Sequence, residues 1–413
     1  MTPTEPVQRF IPYRKTDIVE MCCTEGAFSE VQVSQFRDVC TMLSSIFHFR
    51  FHHSLETLKN CYAPMNPDAD TKFVYAVTEH EKVHREETLI QELKNLLDRA
   101  NFESIEKEDL RQALSEESLF QIRLHVDFDD FEKFLFFRRG ATVREETLVK
   151  WFGLIKKPIT FLNYDRVVIY VKFKEQRYFD EKDETDLLFT PGSTIVKLFQ
   201  NIPRSDLEML FPNSEVRMKT IDKLMIGVPA AIGGIIMLAT KLGATLVLVG
   251  ALIAFWIGIR NEPVVLDQTA LLALVAGAGT LGAYLWKQFS NFKNRKIRFM
   301  KTLADNLYFK NLDNNTGVFH RLVDAAEEEE FKETVLAYYF LLRENTPQTR
   351  ETLDRNIQNW FLKEHGHSLD FEVGDAIAKL DDLGLLISDE NGLSVVSLEN
   401  AKQILHKRWD DFF

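Results

Sequence analysis

The closest match to a chemical motif is His80-Glu81-Lys82-Val83-His84, which satisfies the pattern H-E-x-x-H. On a helix the two histidines share a face, where they could bind zinc while the glutamate acts as a general base. Metalloprotease helices usually surround this motif with apolar residues, whereas charged residues surround it here, and no third ligand follows in a recognisable pattern. We therefore interpret it as a solvated helix face and predict no metal, cofactor or catalytic residue.

A second group of imidazoles, His48, His52 and His53, lies in "FHFRFHH", with Cys61 not far along the chain. His48 and His52 have the i, i+4 spacing of a metal-binding pair, but a site would need two further ligands that the sequence does not place. An aromatic helix at the edge of a core is the better interpretation.

Carboxylates and arginines alternate with phenylalanines in "DFDDFEKFLFFRRG". Asp127, Asp129 and Asp130 could position a cation or pair with Arg138 and Arg139, which makes these five residues a candidate functional cluster. The alternative is an acidic turn that leads into a strand whose phenylalanines enter the core.

Two further polar stretches are interpreted as structural. "NLDNNTG", at 311–317, has the composition of a calcium loop but lacks the EF-hand spacing, so we predict a turn in which Asn and Gly supply positive φ angles. Glu327–Glu330 is predicted to be the exposed first turn of a helix, where carboxylates favour the helix dipole.

These residues belong to a chain of 413 residues, which is too long for one core. Apolar periodicity predicts helices over 31–51, 55–62 and 71–100, and short β-branched and aromatic runs follow from residue 122. Residues 1–220 are thus predicted to form an α+β soluble domain, with helices first and an antiparallel sheet after them.

Three apolar runs follow, at 224–239, 244–259 and 270–286. With so few charges they predict transmembrane helices over residues 221–289. Basic residues flank the region on both sides, which favours an even number of crossings, with two full crossings and a re-entrant or interfacial first run. Three crossings are the close alternative.

Residues 290–413 are predicted to form a helical, winged-helix-like soluble domain, because helices are followed by a hairpin around Asn391-Gly392 and a last helix. Residues 346–413 hold thirteen acidic and seven basic residues, and the whole chain has a formal charge of −12. Phosphate contact would be unfavourable, so we expect protein contact and no nucleic-acid partner.

The sequence resembles an uncharacterised membrane-protein family, domain of unknown function 3754, which includes mitochondrial transmembrane protein 143 and relatives in plants and bacteria. The matching stretches are "RFIPYRKTDIVEM", "DFDDFEKFLFFRRG", "LFQNIPRSDLEMLFP" and "LADNLYFKNLDNNTGVFHRLVDAAEEEEFKE". The resemblance implies a membrane location and no established activity. Because no presequence precedes "RFIPYR", a bacterial member is expected.

The sequence therefore predicts a membrane-anchored, non-enzymatic interaction or scaffold protein, in the bacterial inner membrane with both soluble domains cytoplasmic. Its expected partners are the lipid bilayer, an unidentified protein and a second copy packed through the glycine-rich helices. One alternative is an oligomeric pathway for ions or small solutes, with Lys241 or Asp267 near the path. The other is a membrane metalloprotease that uses His80, Glu81 and His84.

Overall fold

The fold was analysed in a computed structural model, which describes residues 7–106, 110, 123–150, 155–183, 187–217, 243–259, 261, 268–344 and 346–412. The chain divides into two compact units. Unit 1 comprises Met1–Glu116, Asp127–Pro212 and Phe309–Phe413, and unit 2 comprises Glu117–Val126 and Asn213–Tyr308. Unit 2 is therefore mainly an insertion between two parts of unit 1.

Unit 1 begins with three helices, α1 (Lys15–Thr24), α2 (Glu30–Tyr62) and α3 (Glu79–Arg99). The two helical stretches predicted over 31–62 form one continuous helix, α2, whose buried residues recur every three or four positions. The third helix begins at Glu79 and not at 71, because Thr78 and Glu81 form a capping box that starts it there.

The sheet of unit 1 has five antiparallel strands in the order β1-β3-β4-β5-β7. The predicted combination of helices with an antiparallel sheet is thus confirmed. The strand bounds are Glu103–Ser104 for β1, Phe131–Lys150 for β3, Ile155–Phe173 for β4, Thr194–Pro203 for β5 and Asn311–Asn314 for β7. Two short helices, α4 (Gln176–Glu181) and the 3-10 helix Arg204–Leu210, follow β4 and β5.

Of the turn predicted over 311–317, the structure keeps a positive φ at Asn315, whereas Asn311–Asn314 form β7, and Thr316 and Gly317 begin the next helix. Asn315 has φ +51° directly after β7, and its buried amide Oδ1 accepts hydrogen bonds from the Tyr62 hydroxyl at 2.8 Å and from the Val196 backbone N–H at 3.1 Å. A Cβ on Gly317 would lie 1.9 Å from Oδ1 of Asp313, so only glycine fits there without a shift. These contacts set the start of the next helix at Thr316.

That helix, α7 (Thr316–Glu344), is the central element of the core. Every residue from Glu329 to Leu341 is buried. It packs against α1, α2 and α3 and against the two helices that follow it, and one continuous hydrophobic cluster includes residues from all of them.

The remaining elements of unit 1 are α8 (Arg350–His365), α9 (Val373–Asp382), the hairpin β8 (Leu386–Asp389) and β9 (Gly392–Val395), and α10 (Leu398–Asp410). They occur in the order that the sequence predicts. An isolated antiparallel bridge joins Gln348 to Leu393 in β9.

Unit 2 contains a two-stranded ladder of β2 (Arg123–His125) and β6 (Glu215–Arg217), the helix α5 (Gly243–Trp256) and all but the last two residues of α6 (Gln268–Lys310). The second and third predicted apolar runs fall on these helices. The first run, 224–239, and the residues Lys241 and Asp267 lie outside the described residues.

The observed division of the chain differs from the predicted division at 220 and 289. The sequence predicts a separate C-terminal domain because its apolar residues could fill a small core. In the structure, the apolar side chains of α7 are covered by α1, α2 and α3, so residues 309–413 complete the core of residues 1–116 and 127–212. Both soluble parts of the chain therefore form one unit.

Candidate functional site

The strongest concentration of buried charge in the described chain lies on one stretch of α7. Glu327, Glu329, Glu330, Lys332 and Glu333 are each 2–7% exposed. The prediction that Glu327–Glu330 form an exposed first helical turn is wrong, because α7 begins eleven residues earlier and this stretch faces the core. Buried charges are costly unless they are paired, so their partners decide what the cluster does.

One part of the cluster holds the N-terminal segment. The Lys332 ammonium donates to the backbone oxygens of Ile11 at 2.7 Å and Tyr13 at 3.1 Å, and to Glu329 Oε1 at 2.7 Å. The other oxygen of Glu329 accepts the backbone N–H of Ile11 at 3.1 Å. Lys332 and Glu329 thus supply a donor and an acceptor to the backbone at Ile11, which is not part of a strand.

A second part of the cluster joins α3 and α9 to α7. The Arg99 guanidinium donates from both Nε and Nη2 to the Glu330 carboxylate, the Nη2 contact being 3.0 Å. Glu333 accepts from the Lys379 ammonium at 2.7 Å and from the Asn101 amide at 2.9 Å. Burial raises the pKa of Glu333 to about 7, although Lys379 and Asn101 act in the opposite direction.

A third part reaches an open groove of about 620 Å³ beside α2 and α10. Glu327 accepts from Lys15 Nζ at 3.1 Å, and its other oxygen lies 2.9 Å from Nδ1 of His48. His48 and His52 both line this groove, as does the exposed edge of Trp409. The interpretation of the histidine pair as part of an aromatic helix at the edge of the core agrees with this placement.

The cluster as a whole is a set of matched ion pairs. Each of its carboxylates contacts a cation, namely Lys15, Arg99, Lys332 or Lys379. An ionised carboxylate held in this way is a poor general base, and the contacts instead fix the N-terminal segment, α3 and α9 around one helix. We assign the cluster a positioning role.

The structure uses the H-E-x-x-H motif to begin a helix. Glu81 Oε2 accepts the backbone N–H of Thr78 at 2.8 Å and its hydroxyl at 2.9 Å. The hydrogen bond from the Thr78 backbone lowers the pKa of Glu81 most, and the bond from the Thr78 hydroxyl lowers it further. His80 and His84 are exposed on the same first turns of α3. Glu81 is thus oriented toward the helix N-terminus by its cap.

The structure brings the candidate aspartates and arginines to different partners. Lys182 Nζ lies 2.8 Å from Asp127 Oδ2 and 2.7 Å from Asp130 Oδ1, while Asp127 also caps the backbone N–H of Asp129. The two arginines lie further along β3.

Arg138 pairs with Glu103 of β1 at 2.6 Å. The Arg139 guanidinium lies over the rings of Phe10 and Phe102, at 5.3 and 5.0 Å from their centroids, and donates to the Ala100 carbonyl at 3.3 Å. The aspartates and the two arginines therefore have different partners. Of the two interpretations, the acidic turn before a strand matches the observed 3-10 turn Phe128–Asp130 followed by β3.

Sequence reasoning missed one buried carboxylate close to the metal-like motif. Glu86 is 3% exposed and accepts from Lys172 at 2.7 Å and Lys133 at 3.1 Å, so it links α3 to β3 and β4. The sequence did hold a signal for this burial. Glu86 precedes the buried Leu89 and Leu93 by three and seven residues, which places it on the same face of the helix.

The described ranges include histidines, cysteines and carboxylates, which are the usual metal ligands. Among those residues, no three or more His, Cys, Asp or Glu side chains are arranged to hold a metal ion. The four cysteines are free thiols, and burial raises the pKa of Cys22 and Cys40. A raised pKa makes a thiol less reactive, so these two are packing residues.

Helix α9, which would be the recognition helix of the predicted winged helix, makes intramolecular contacts. Its lysine, Lys379, is directed to Glu333, and Asp382 at its end pairs with Arg50 at 2.6 Å and Arg408 at 3.0 Å. Asp375 and Asp381 are exposed, as is Asp382. The exposed side of α9 is thus acidic.

One helical segment of the described chain, Gln268–Asn291 of α6, is long and apolar enough to cross a membrane by length and composition. An 18-residue window of this segment has a mean hydropathy of 1.5, and 6% of that window is buried. A core helix of a soluble protein would be mostly buried. The shorter apolar helix Val247–Trp256 ends in exposed residues, including Trp256.

Comparison with known protein families gives one match. Residues 164–317, from within β4 to the first turn of α7, match the model of a family described as protein of unknown function (DUF3754). The stretch "LFQNIPRSDLEMLFP" lies inside the matched range, whereas "RFIPYRKTDIVEM" and "DFDDFEKFLFFRRG" lie outside it. No solved structure matches the chain. Over its central part the chain is thus similar to a family whose function is unknown.

Proposed function

We propose that this protein is a membrane-anchored, non-enzymatic interaction protein, in which unit 2 provides the anchor and unit 1 provides a surface for a protein partner. The observation that carries the proposal is the exposure of Gln268–Asn291. A helix whose 18-residue apolar window is 6% buried leaves a large apolar surface in water unless lipid or protein covers it.

The single core of unit 1 supports a particular topology. Residues 1–116, 127–212 and 309–413 pack together, so they must lie on the same side of any membrane that the chain enters between 212 and 309. An even number of crossings follows, which favours two crossings over three. The basic residues on both sides of the apolar region favour the cytoplasmic side for unit 1.

A winged-helix-like fold within residues 290–413 is the second part of the proposal. The order α8, α9, β8 and β9 supports it, and the bridge from Gln348 to Leu393 corresponds to the first strand of such a domain. The acidic exposed side of α9 would repel phosphates, so we propose that this part contacts protein and not nucleic acid.

The two alternative functions have less support. A metalloprotease would need Glu81 free to activate water, whereas the carboxylate is bound to Thr78. The pathway hypothesis depends on Lys241 and Asp267, which lie outside the described residues.

Membrane fractionation tests the anchor. The full chain should remain in the membrane pellet after extraction at alkaline pH, because apolar helices in lipid resist conditions that release peripheral proteins. A matched variant that replaces residues 218–307 by a flexible Gly/Ser linker should be soluble, since none of the described residues in that range belongs to the hydrophobic core of unit 1. Release of the full chain by alkali, or retention of the variant in the membrane, would contradict the proposal.

A further inference from the structure

The most concentrated positive charge of the chain lies on α6, directly after its apolar part. Residues 287–301 contain six basic side chains and no acidic one, in a chain whose formal charge is −12. Lys287, Lys293, Arg298 and Lys301 are exposed. Among the described residues, no ion pair engages these four side chains. Their charge is therefore available to an external partner.

The geometry of α6 relates this segment to its apolar neighbour. The helix runs without interruption for 43 residues, which corresponds to about 64 Å at 1.5 Å per residue. The hydrocarbon core of a bilayer is about 30 Å thick, so a helix of this length crosses it and continues well beyond it. The basic residues thus begin at the point where the apolar segment ends.

Aromatic residues mark the same point. Trp286 and Phe289 are 72% and 59% exposed, and their ring centroids lie 6.2 Å apart. Exposed Trp beside the end of an apolar helix is typical of the membrane–water interface, where the ring is amphipathic. These aromatic residues therefore indicate that the change from apolar to basic residues lies at the level of the lipid headgroups.

We propose that residues 287–301 bind the anionic headgroups of membrane phospholipids. The inference rests on the proposed membrane anchor. Clustered lysines and arginines next to a membrane-spanning helix attract acidic lipids, and the attraction falls off within a Debye length of the surface. Zwitterionic headgroups carry no net charge, so the segment should enrich acidic lipids around the protein.

The experiment uses the full chain reconstituted into lipid nanodiscs of phosphatidylcholine with a minor fraction of phosphatidylglycerol. The lipid retained by the purified protein after mild detergent exchange is then quantified by headgroup. The test variant changes Lys287, Lys293, Arg298 and Lys301 to Gln. The matched control variant changes four exposed lysines of unit 1, namely Lys72, Lys94, Lys363 and Lys407, to Gln.

The native protein should retain phosphatidylglycerol at about threefold or more its bulk ratio, and raising the salt concentration should reduce the enrichment. The test variant should lose most of the enrichment, and the control variant should keep it. Bulk lipid ratios around the native protein, or equal enrichment in the native protein and the test variant, would overturn the inference while leaving the anchor intact. Failure of the native protein to enter nanodiscs would overturn the proposed anchor and the inference with it.

Discussion

Charged side chains buried on α7 decide how unit 1 is held together at the scale of single residues. Lys332 and Glu329 form the hydrogen bonds of the Ile11 backbone that water would otherwise form. Glu330 and Glu333 bind side chains from α3 and α9. Removing one member of such a pair leaves an unpaired buried charge, which costs several kcal/mol. We therefore expect these residues to act through the placement of neighbouring elements and not through chemistry.

Glu333 makes the stability of unit 1 dependent on pH. Burial raises its pKa from 4.5 to about 7, so the folded state holds the proton more tightly than the unfolded state. Its contribution to stability is fully present below about pH 4.5 and is lost as the pH rises through 7. Lys379, which faces it, remains charged over this range because its pKa is raised.

Glu333→Gln is expected to remove this dependence, because the amide carries no charge at any pH. Between pH 5 and pH 8 the native protein should lose on the order of 2 kcal/mol of unfolding free energy relative to the variant. Urea unfolding of the protein without residues 218–307 measures this, with the exposed Glu364→Gln as the control. A constant difference between native protein and Glu333→Gln across this range would show that Glu333 stays ionised.

The capping role of the H-E-x-x-H segment can be separated from a metal role by two substitutions. Thr78→Ala should lower the unfolding free energy by about 1 kcal/mol, because it removes the cap of α3. His84→Ala should leave both stability and metal content unchanged, since the imidazole is exposed at the start of the helix. Stoichiometric zinc that is lost in His84→Ala, measured by elemental analysis, would restore the metalloprotease hypothesis.

The sequence identified these single residues more readily than their partners. The charge and spacing of Glu81, His80 and His84 can be read from the sequence. The hydrogen bonds from Thr78 to Glu81 could be predicted only if the first residue of the helix were known. Similarly, four consecutive glutamates predict a solvated turn, and their burial depends on Arg99, Lys15 and Lys379, which are distant in sequence. Long-range pairing of this kind leaves no local pattern.

At the scale of elements, periodicity predicted the helices more reliably than their packing. α2 was predicted from its apolar spacing, and the position of the turn at Asn315 from its composition. The sequence also predicted a C-terminal part with its own core, which differs from the observed packing. By composition, the apolar residues of α7 could fill a separate C-terminal core or pack against the N-terminal helices. The structure shows that α1, α2 and α3 cover them.

This packing predicts how the C-terminal fragment behaves alone. A fragment of residues 316–413 should show no cooperative unfolding transition, because the faces of α7 that pack against α1, α2 and α3 would be exposed to water. Thermal unfolding followed by circular dichroism measures this, and the protein without residues 218–307 provides the cooperative control. A sharp transition in the isolated fragment would show that residues 316–413 are an independent domain.

At the scale of the whole molecule, the chain leaves unit 1 after Pro212 and returns to it at Phe309. β5 and β7, on either side of this insertion, are neighbouring strands of one sheet. The sequence predicted two soluble parts around an apolar region, and their union in one core adds a physical constraint that charge counting alone could not supply. An odd number of crossings would place the two strands on opposite sides of the bilayer.

The orientation of the two soluble parts tests this account most directly. Reporters whose activity depends on the membrane side should be placed after residue 215 in one version of the full chain and after residue 413 in another. We expect both to report the same, cytoplasmic side, because both parts share one core and basic residues flank the apolar region. Opposite reports from the two positions would contradict the account, since one core cannot form across a bilayer.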